Sequence, residues 1–224
     1  MPSLEPAARR AVILLAAFAA ALGVACARKP VPLDASSPEY AEAVSAFNVG
    51  VAGLEVGDDA HAAAGLARLT ELAPAEPAGW ADLGLLSLRH RDYDASAAQF
   101  AKARELAPDN ARIHAMSGLL ESARGRSPEA IAAFQKAIAL DPDDLEARYS
   151  LAKELSRQGD DAAALGQFQA LVERRPDNLE ALIEQARLAA KLGDTAAFAR
   201  AEDRIGQLSA AWPPDVQERV RALQ

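Results

Sequence analysis

The sequence predicts an all-α solenoid of about four and a half to five helix–turn–helix repeats. Prolines recur at intervals of 34 residues, at Pro74, Pro108, Pro142 and Pro176. Within each interval, apolar residues follow the spacing of three and four that lines one face of a helix. No alternating strand pattern of useful length occurs. A repeat of this period is typical of a solenoid, in which each unit packs only against its neighbours.

Four blocks align without insertion or deletion, at 43–76, 77–110, 111–144 and 145–178, and a fifth covers 179–210. Positions within a block are counted from its first residue and called places. Small residues recur at place 8 and again at place 20, as in Gly118 and Ala130. Place 24 holds the large apolar residues Leu66, Phe100, Phe134 and Phe168. We therefore expect two helices per block that approach closely at the small residues and bury the large one.

Glycine and proline divide each block. Place 15 is glycine at Gly57, Gly125, Gly159 and Gly193, which predicts a first helix of about fourteen residues ending in a left-handed cap. The proline at place 32 ends the second helix. In the third block, Ser127 followed by Pro128 predicts an N-cap and a first helical residue. Acidic pairs recur at the turns, where we expect them to cap helices rather than catalyse: Asp58-Asp59, Asp143-Asp144 and Asp160-Asp161.

The blocks resemble tetratricopeptide repeats over about 43–192. The second block carries much of the pattern of that family, in Trp80, Leu83, Gly84, Tyr93, Phe100, Ala103 and Pro108. The resemblance implies a right-handed superhelix. The fifth block departs from the pattern at Phe198 and Glu202 and lacks the proline, so 179–210 is predicted to be a divergent repeat or a capping helix pair. Residues 211–224 form a short C-terminal tail.

The first 27 residues have the layout of a bacterial export signal, with Arg9-Arg10 before the uncharged run 11–27. Cys26, the only cysteine, follows Leu22-Gly23-Val24-Ala25, which resembles the lipobox of lipoproteins although the leucine usually stands at the position of Gly23. The resemblance implies lipid on Cys26 and attachment to a membrane of the bacterial envelope, with the chain facing the periplasm or exterior. Two alternatives stay open: ordinary cleavage that releases a soluble periplasmic or secreted protein, and an uncleaved anchor. Residues 28–42 are predicted to be a tether containing proline and serine.

Charge and cysteine content narrow the class of partner. The formal charge is −8, and the first thirty residues contribute +3, which leaves −11 on the rest. An acidic body argues against nucleic acid as a partner, because phosphate neutralisation supplies most of that affinity. A single cysteine means that the fold has no internal disulfide.

The sequence lacks the constellations that carry catalysis. His61, His90 and His114 have no metal-ligand spacing, and neither a nucleophile elbow nor a glycine-rich phosphate loop occurs. We therefore predict a protein that is not an enzyme and that has no metal and no cofactor.

A partner-binding groove is implied by the resemblance, since places 2, 5, 6, 9, 12 and 13 of the family face the concave side. The candidate groove residues are Phe47, Asn48, Val51, Leu85, Arg89, Met116, Tyr149, Lys153, Arg157, Arg187 and Lys191. Their types predict an apolar N-terminal half and a basic-leaning C-terminal half, suited to an amphipathic or extended peptide with apolar anchors and some acidic residues. The alternative is that Val51, Leu85 and Leu119 belong partly to the core. Lys153 stands where chaperone-binding members have asparagine, so their carboxylate clamp is not reproduced.

These observations predict a non-enzymatic protein–protein interaction scaffold of the bacterial cell envelope that binds a protein or peptide partner. The alternative is a recognition or regulatory module of a larger secreted enzyme or of a longer multidomain chain. The repeat pattern determines the architecture and does not identify the partner.

Overall fold

The structure, a computed structural model, describes residues 34–210, and these form helices without any strand. The ten helices of this part of the chain are α1 (Pro38–Val56), α2 (Asp59–Leu72), α3 (Pro77–Arg89), α4 (Tyr93–Leu106), α5 (Ala111–Ala123), α6 (Ser127–Leu140), α7 (Leu145–Gln158), α8 (Asp161–Arg174), α9 (Leu179–Leu192) and α10 (Thr195–Ser209). The all-α prediction is confirmed. The signal 1–27 with Cys26, residues 28–33 of the tether and the tail 211–224 lie outside the described residues.

The chain divides into two compact units, of which one ends at Leu86 and the other begins at Ser87, within α3. In the first unit, α1 and α2 meet where a Cβ added to Gly65 would lie 2.5 Å from the backbone nitrogen of Gly50. Ala43, Ala46 and Leu69 form the small core beside that contact, with Phe47 packed against it. The two backbones can touch because neither helix carries a side chain at this point.

In the second unit, consecutive helices from α4 to α10 pack in sequence order. Phe134 and Phe168 are 1% and 0% exposed, and Ala130 and Ala164 at place 20 are also fully buried. A Cβ added to Gly118 would lie 2.6 Å from the ring of Phe134. The predicted pairing of small places 8 and 20 with a large place 24 is thus how α5 packs against α6.

Most of the helices begin at an Asp, Asn or Ser cap. Asp58, Asp92, Asp160 and Asp194, all at place 16, each accept a hydrogen bond from the backbone N–H three residues on and start the second helix of their blocks. The residues at place 34, which are Asn110, Asp144 and Asn178, cap the first helix of the following block in the same way. Each cap satisfies a backbone donor that the helix itself leaves unpaired.

Left-handed residues end the first helices. Gly57, Gly125, Gly159 and Gly193 have φ of +75°, +74°, +90° and +73°, which confirms the prediction at place 15. The second block has Arg91 at this place, and it takes φ of +61°, the only described residue other than glycine with a positive φ. An L side chain in this region is strained by about 1–2 kcal/mol.

Two boundary predictions were wrong. Helix α1 starts at Pro38, so the predicted tether ends at Ser37, whose side chain accepts from the N–H of Tyr40. A serine cap followed by proline at the first helical position is a strong start signal, and it makes α1 19 residues long rather than fourteen. Ser127 is the first residue of α6 and not its cap; Arg126 occupies the cap position and gives no side-chain hydrogen bond.

Replacing Arg91 with glycine should stabilise the protein by about 0.5–1 kcal/mol. Relief of left-handed strain is partly offset by the extra freedom that glycine has in the unfolded chain. Urea unfolding of the two proteins measures the difference. The matched control is Arg200→Gly at an exposed position inside α10, which should instead lose about 1 kcal/mol; a loss for both variants would contradict the strain at Arg91.

Arg126→Asp should restore the cap that the other second helices have and raise stability by about 1 kcal/mol. The carboxylate also suits the positive end of the α6 dipole, whereas the guanidinium does not. Urea unfolding again measures the difference. Asp160→Ala, which removes the cap of α8, shows how much one cap contributes to stability. Equal stability of Arg126→Asp and the parent would show that α6 needs no side-chain cap.

Candidate partner-binding face

In the second unit, the first helices of successive repeats are joined by side chains on one face. Between α7 and α9, the Tyr149 hydroxyl donates to Glu180, and Lys153 Nζ lies 3.1 Å from Glu184 Oε1. Between α5 and α7, Ser122 donates to Glu154, and Arg157 Nη1 lies 3.3 Å from Ser122 Oγ. Arg187 Nη2 also donates to Ser156 Oγ, at 3.4 Å. We call this set the first-helix ladder; its members are Ser122, Tyr149, Lys153, Glu154, Ser156, Arg157, Glu180, Glu184 and Arg187.

The ladder balances its charges. Arg187 Nη2 lies 2.7 Å from Glu184 Oε2, and Arg157 Nη1 lies 2.8 Å from Glu154 Oε1. Outside the ladder, Lys191 Nζ lies 2.5 Å from Asp161 Oδ2. The predicted cations are therefore present but paired within the protein, and the basic-leaning half of the groove has nearly neutral charge.

Two pKa shifts in the ladder follow from these contacts. Burial alone would raise the pKa of Glu184, but the hydrogen bonds from Arg187 and Lys153 outweigh it and hold the pKa below its usual value. Burial, and then the hydrogen bond to Glu180, raise the pKa of Tyr149 far above the ordinary range. Tyr149 is thus a neutral phenol that donates, and Glu184 a charged carboxylate that accepts, across the whole physiological pH range.

Ring contacts also position Tyr149. Its ring meets Phe168 of α8 edge-on, with centroids 5.7 Å apart and planes at 75°. Lys153 Nζ lies 6.0 Å from the centroid of the Tyr149 ring. The aromatic packing fixes the phenol and so presets the geometry of its bond to Glu180.

Glu154 anchors the ladder from inside. It is 2% exposed, and its Oε1 bonds with Ser122 and Arg157, while Oε2 has no hydrogen-bond partner within the part of the chain that is described. A buried carboxylate is costly unless cations and hydroxyls hold it. The bond to Ser122 therefore joins α5 to α7, and the pair with Arg157, which lies within α7, orients that guanidinium.

Two exposed aliphatic residues lie beside the ladder. Leu119 of α5 is 41% exposed and Ile183 of α9 is 51% exposed. Ile183 is three residues after Glu180 and four before Arg187, and Leu119 is three before Ser122, so each shares a helix face with the ladder. Ile183 was missed by the sequence analysis, although its place 5 is one of the groove places and could have identified it.

The remaining candidate residues differ in exposure. On α1, Asn48 is exposed, whereas Phe47 and Val51 are half-buried, and Phe47 packs against the core of the first unit. Leu85 on α3 is half-buried, and Arg89 is exposed. Met116 is only 6% exposed, so its side chain offers little surface to a partner.

Residues 34–210 offer few other groups that could bind a ligand. Between residues 34 and 210 no group of three or more His, Cys, Asp or Glu residues could hold a metal ion. His61 bonds with its cap residue Asp58, and His114 lies 2.7 Å from the carbonyl oxygen of Pro108. None of the described helices has the length and apolar character needed to cross a membrane.

Comparison with known proteins agrees with the helix pairs. Models of the tetratricopeptide repeat match residues 81–145 and 123–178. No curated protein sequence matches the chain.

Solved structures share the fold at low sequence identity. The pilF protein of Pseudomonas aeruginosa is 18% identical, with a TM-score of 0.69 over 77% of this chain and 78% of its own. MamA of Desulfovibrio magneticus RS-1 is 16% identical, with a TM-score of 0.66 over 76% of this chain and 96% of its own. YrrB, described as a tetratricopeptide protein with an unusual peptide-binding site, is 20% identical, with a TM-score of 0.61 over 82% and 94%.

Proposed function

We propose that this chain, whose residues 81–145 and 123–178 match models of the tetratricopeptide repeat, is a non-enzymatic scaffold that binds a segment of a partner protein. The binding face is the one on α5, α7 and α9 that carries the first-helix ladder. The observation that carries the proposal is the position of exposed Leu119 and Ile183 beside an internally bonded row of polar side chains.

Protein interfaces commonly place apolar side chains at their centre within a polar rim. The polar side chains of the ladder, which lie beside Leu119 and Ile183 on this face, are already held by bonds to neighbouring repeats. Binding then immobilises few rotamers, which lowers the entropic cost of association.

The balanced charge narrows the class of partner. Lys153, Arg157 and Arg187 are each within 3.1 Å of a glutamate oxygen, so a strongly acidic segment would have to displace those glutamates. An amphipathic segment that places apolar residues on Leu119 and Ile183, and meets the ladder with hydrogen-bonding groups, fits this face better.

We place the scaffold in the bacterial cell envelope, held to a membrane through lipid on Cys26. Support comes from the sequence: the paired arginines, the uncharged run 11–27 and the lipobox-like residues before Cys26. The proline- and serine-containing segment 28–37 would then separate α1 from the lipid.

Partner binding is tested by Leu119→Asp and Ile183→Asp together with a photo-crosslinking amino acid at each of the two positions. We expect the same partner to be crosslinked from both positions in cells, and each aspartate to reduce its capture at least tenfold, since burying an aliphatic side chain contributes about 1.5–3 kcal/mol. The control is Val56 in the first unit, which is 78% exposed and should give neither result. Different partners at 119 and 183, or an equal effect at 56, would refute the proposed face.

Lipid attachment is tested by metabolic labelling with palmitate. Because Cys26 is the only cysteine, we expect label and membrane partitioning in the parent, a precursor that accumulates with globomycin, and loss of all three in Cys26→Ala. A Cys26→Ala protein that still partitions to the membrane as the parent does would overturn the lipoprotein assignment.

A further inference from the structure

Two exceptions to the repeat pattern put arginines into one cavity. Arg91 stands at place 15, where the other blocks have glycine, and Arg126 stands at place 16, where the others have aspartate. Both line a cavity of about 420 Å³ in the second unit, between the turn before α4 and the turn before α6. We call it the arginine pocket; its polar lining residues are Arg91, Asp92, Tyr93, Asp94, Arg124 and Arg126.

Arg124 forms the fixed wall of the pocket. Its Nη2 donates to the carbonyl oxygen of Tyr93 at 2.7 Å and to Asp94 Oδ1 at 2.8 Å, and only 14% of its side chain is exposed. Its Nη1 is 3.6 Å from Glu121, which also lies 3.4 Å from Arg126. One guanidinium is thus held rigidly between the two turns, while Arg126 remains 56% exposed beside it.

The carboxylates around the pocket do not fill it. Asp92 accepts from the N–H of Ala95 as the cap of α4, and Glu121 is engaged by Arg124 and Arg126. Asp94 is fully exposed apart from its bond to Arg124, so an incoming anion can displace it at small cost. With Arg91 on the opposite turn, three arginines line one cavity.

Both arginines weaken the local structure. Arg91 takes a left-handed conformation that glycine would take freely, and Arg126 removes the cap that aspartate supplies at this place in the other blocks. Strain retained at neighbouring points is a feature of binding sites, where the ligand compensates for it.

We infer that the arginine pocket binds a phosphate group, carried either by a small soluble molecule or by an anionic lipid headgroup. Guanidiniums from two sides can each present paired N–H donors to a tetrahedral oxyanion. A carboxylate has two oxygens in one plane and is already provided to Arg124 by Asp94. A tetrahedral phosphate, as a monoester or as a diester, directs its oxygens out of a single plane, so one oxygen can meet Arg124 while others face the side of the pocket that Arg91 and Arg126 line.

The test is titration of the full-length chain with inorganic phosphate at constant ionic strength, followed by NMR of the arginine Nε–H groups and the amides of 91–94 and 123–126. We expect saturable shifts at these groups, and a dissociation constant at least fivefold weaker in Arg91→Gly and in Arg126→Gln. The charge-matched control Arg200→Gln should bind as the parent does. Shifts that do not saturate, or that survive both pocket variants, would overturn the inference.

Misfolding cannot mimic the expected result, because Arg91→Gly should be more stable than the parent while binding phosphate more weakly. A second titration uses short-chain phosphatidylglycerol below its micellar concentration, with the corresponding phosphatidylcholine as control. Tighter binding of phosphatidylglycerol than of phosphate at the same amides identifies a lipid source. Binding of phosphate alone identifies a soluble one, and binding of phosphatidylcholine as tightly as phosphatidylglycerol would contradict recognition of an anion.

Discussion

The close approach of the two helices within each repeat is the constraint on which the rest of the second unit depends. At Gly118 the ring of Phe134 occupies the space where a side chain would be, 2.6 Å from an added Cβ. Helices at this distance bury their large residue completely, as the 1% exposure of Phe134 shows. Because interiors are close-packed, the contact fixes the distance and angle between the pair. The first helices can then present side chains to one another in a repeated geometry.

That geometry explains why the polar contacts between helices of the ladder join residues 31 to 35 apart. The contacts from Tyr149 to Glu180 and from Lys153 to Glu184 have the same sequence separation and lie one helical turn apart along α7 and α9. The contacts of Tyr149 and Lys153 are exposed, and a surface pair of this kind is worth only about 0–1 kcal/mol alone. Their collective effect is on side-chain order. A row of cations and carboxylates that bond to one another presents a neutral, preset surface rather than a flexible charged one.

Helix positions could be predicted from the sequence because glycine and proline act through the local backbone. Gly125 and Gly159 each follow a helical run of about fourteen residues and take the left-handed conformation that ends it, a local signal that needs no distant contact. The charge of the groove could not be predicted in the same way. Whether Lys153 is free or paired depends on Glu184 in another helix and on the rotamers of both, which a spacing rule does not contain. Ser127 misled for a different reason. It is a good cap residue next to proline, but the alignment of the blocks, in which place 16 is the cap, already indicates Arg126.

In a repeat protein, departures from the shared pattern carry information that a single domain does not offer, because the other repeats show what the position requires. Arg91 and Arg126 each cost about 1 kcal/mol relative to the residue that their place has in the other blocks, a sizeable share of a typical stability of 5–15 kcal/mol. Neutral drift would scatter such losses along the array. Here both fall on adjacent turns, both introduce the same side chain, and both open onto the cavity that Arg124 already lines. A shared ligand explains the coincidence of position, residue type and cost together, whereas stability alone explains none of the three.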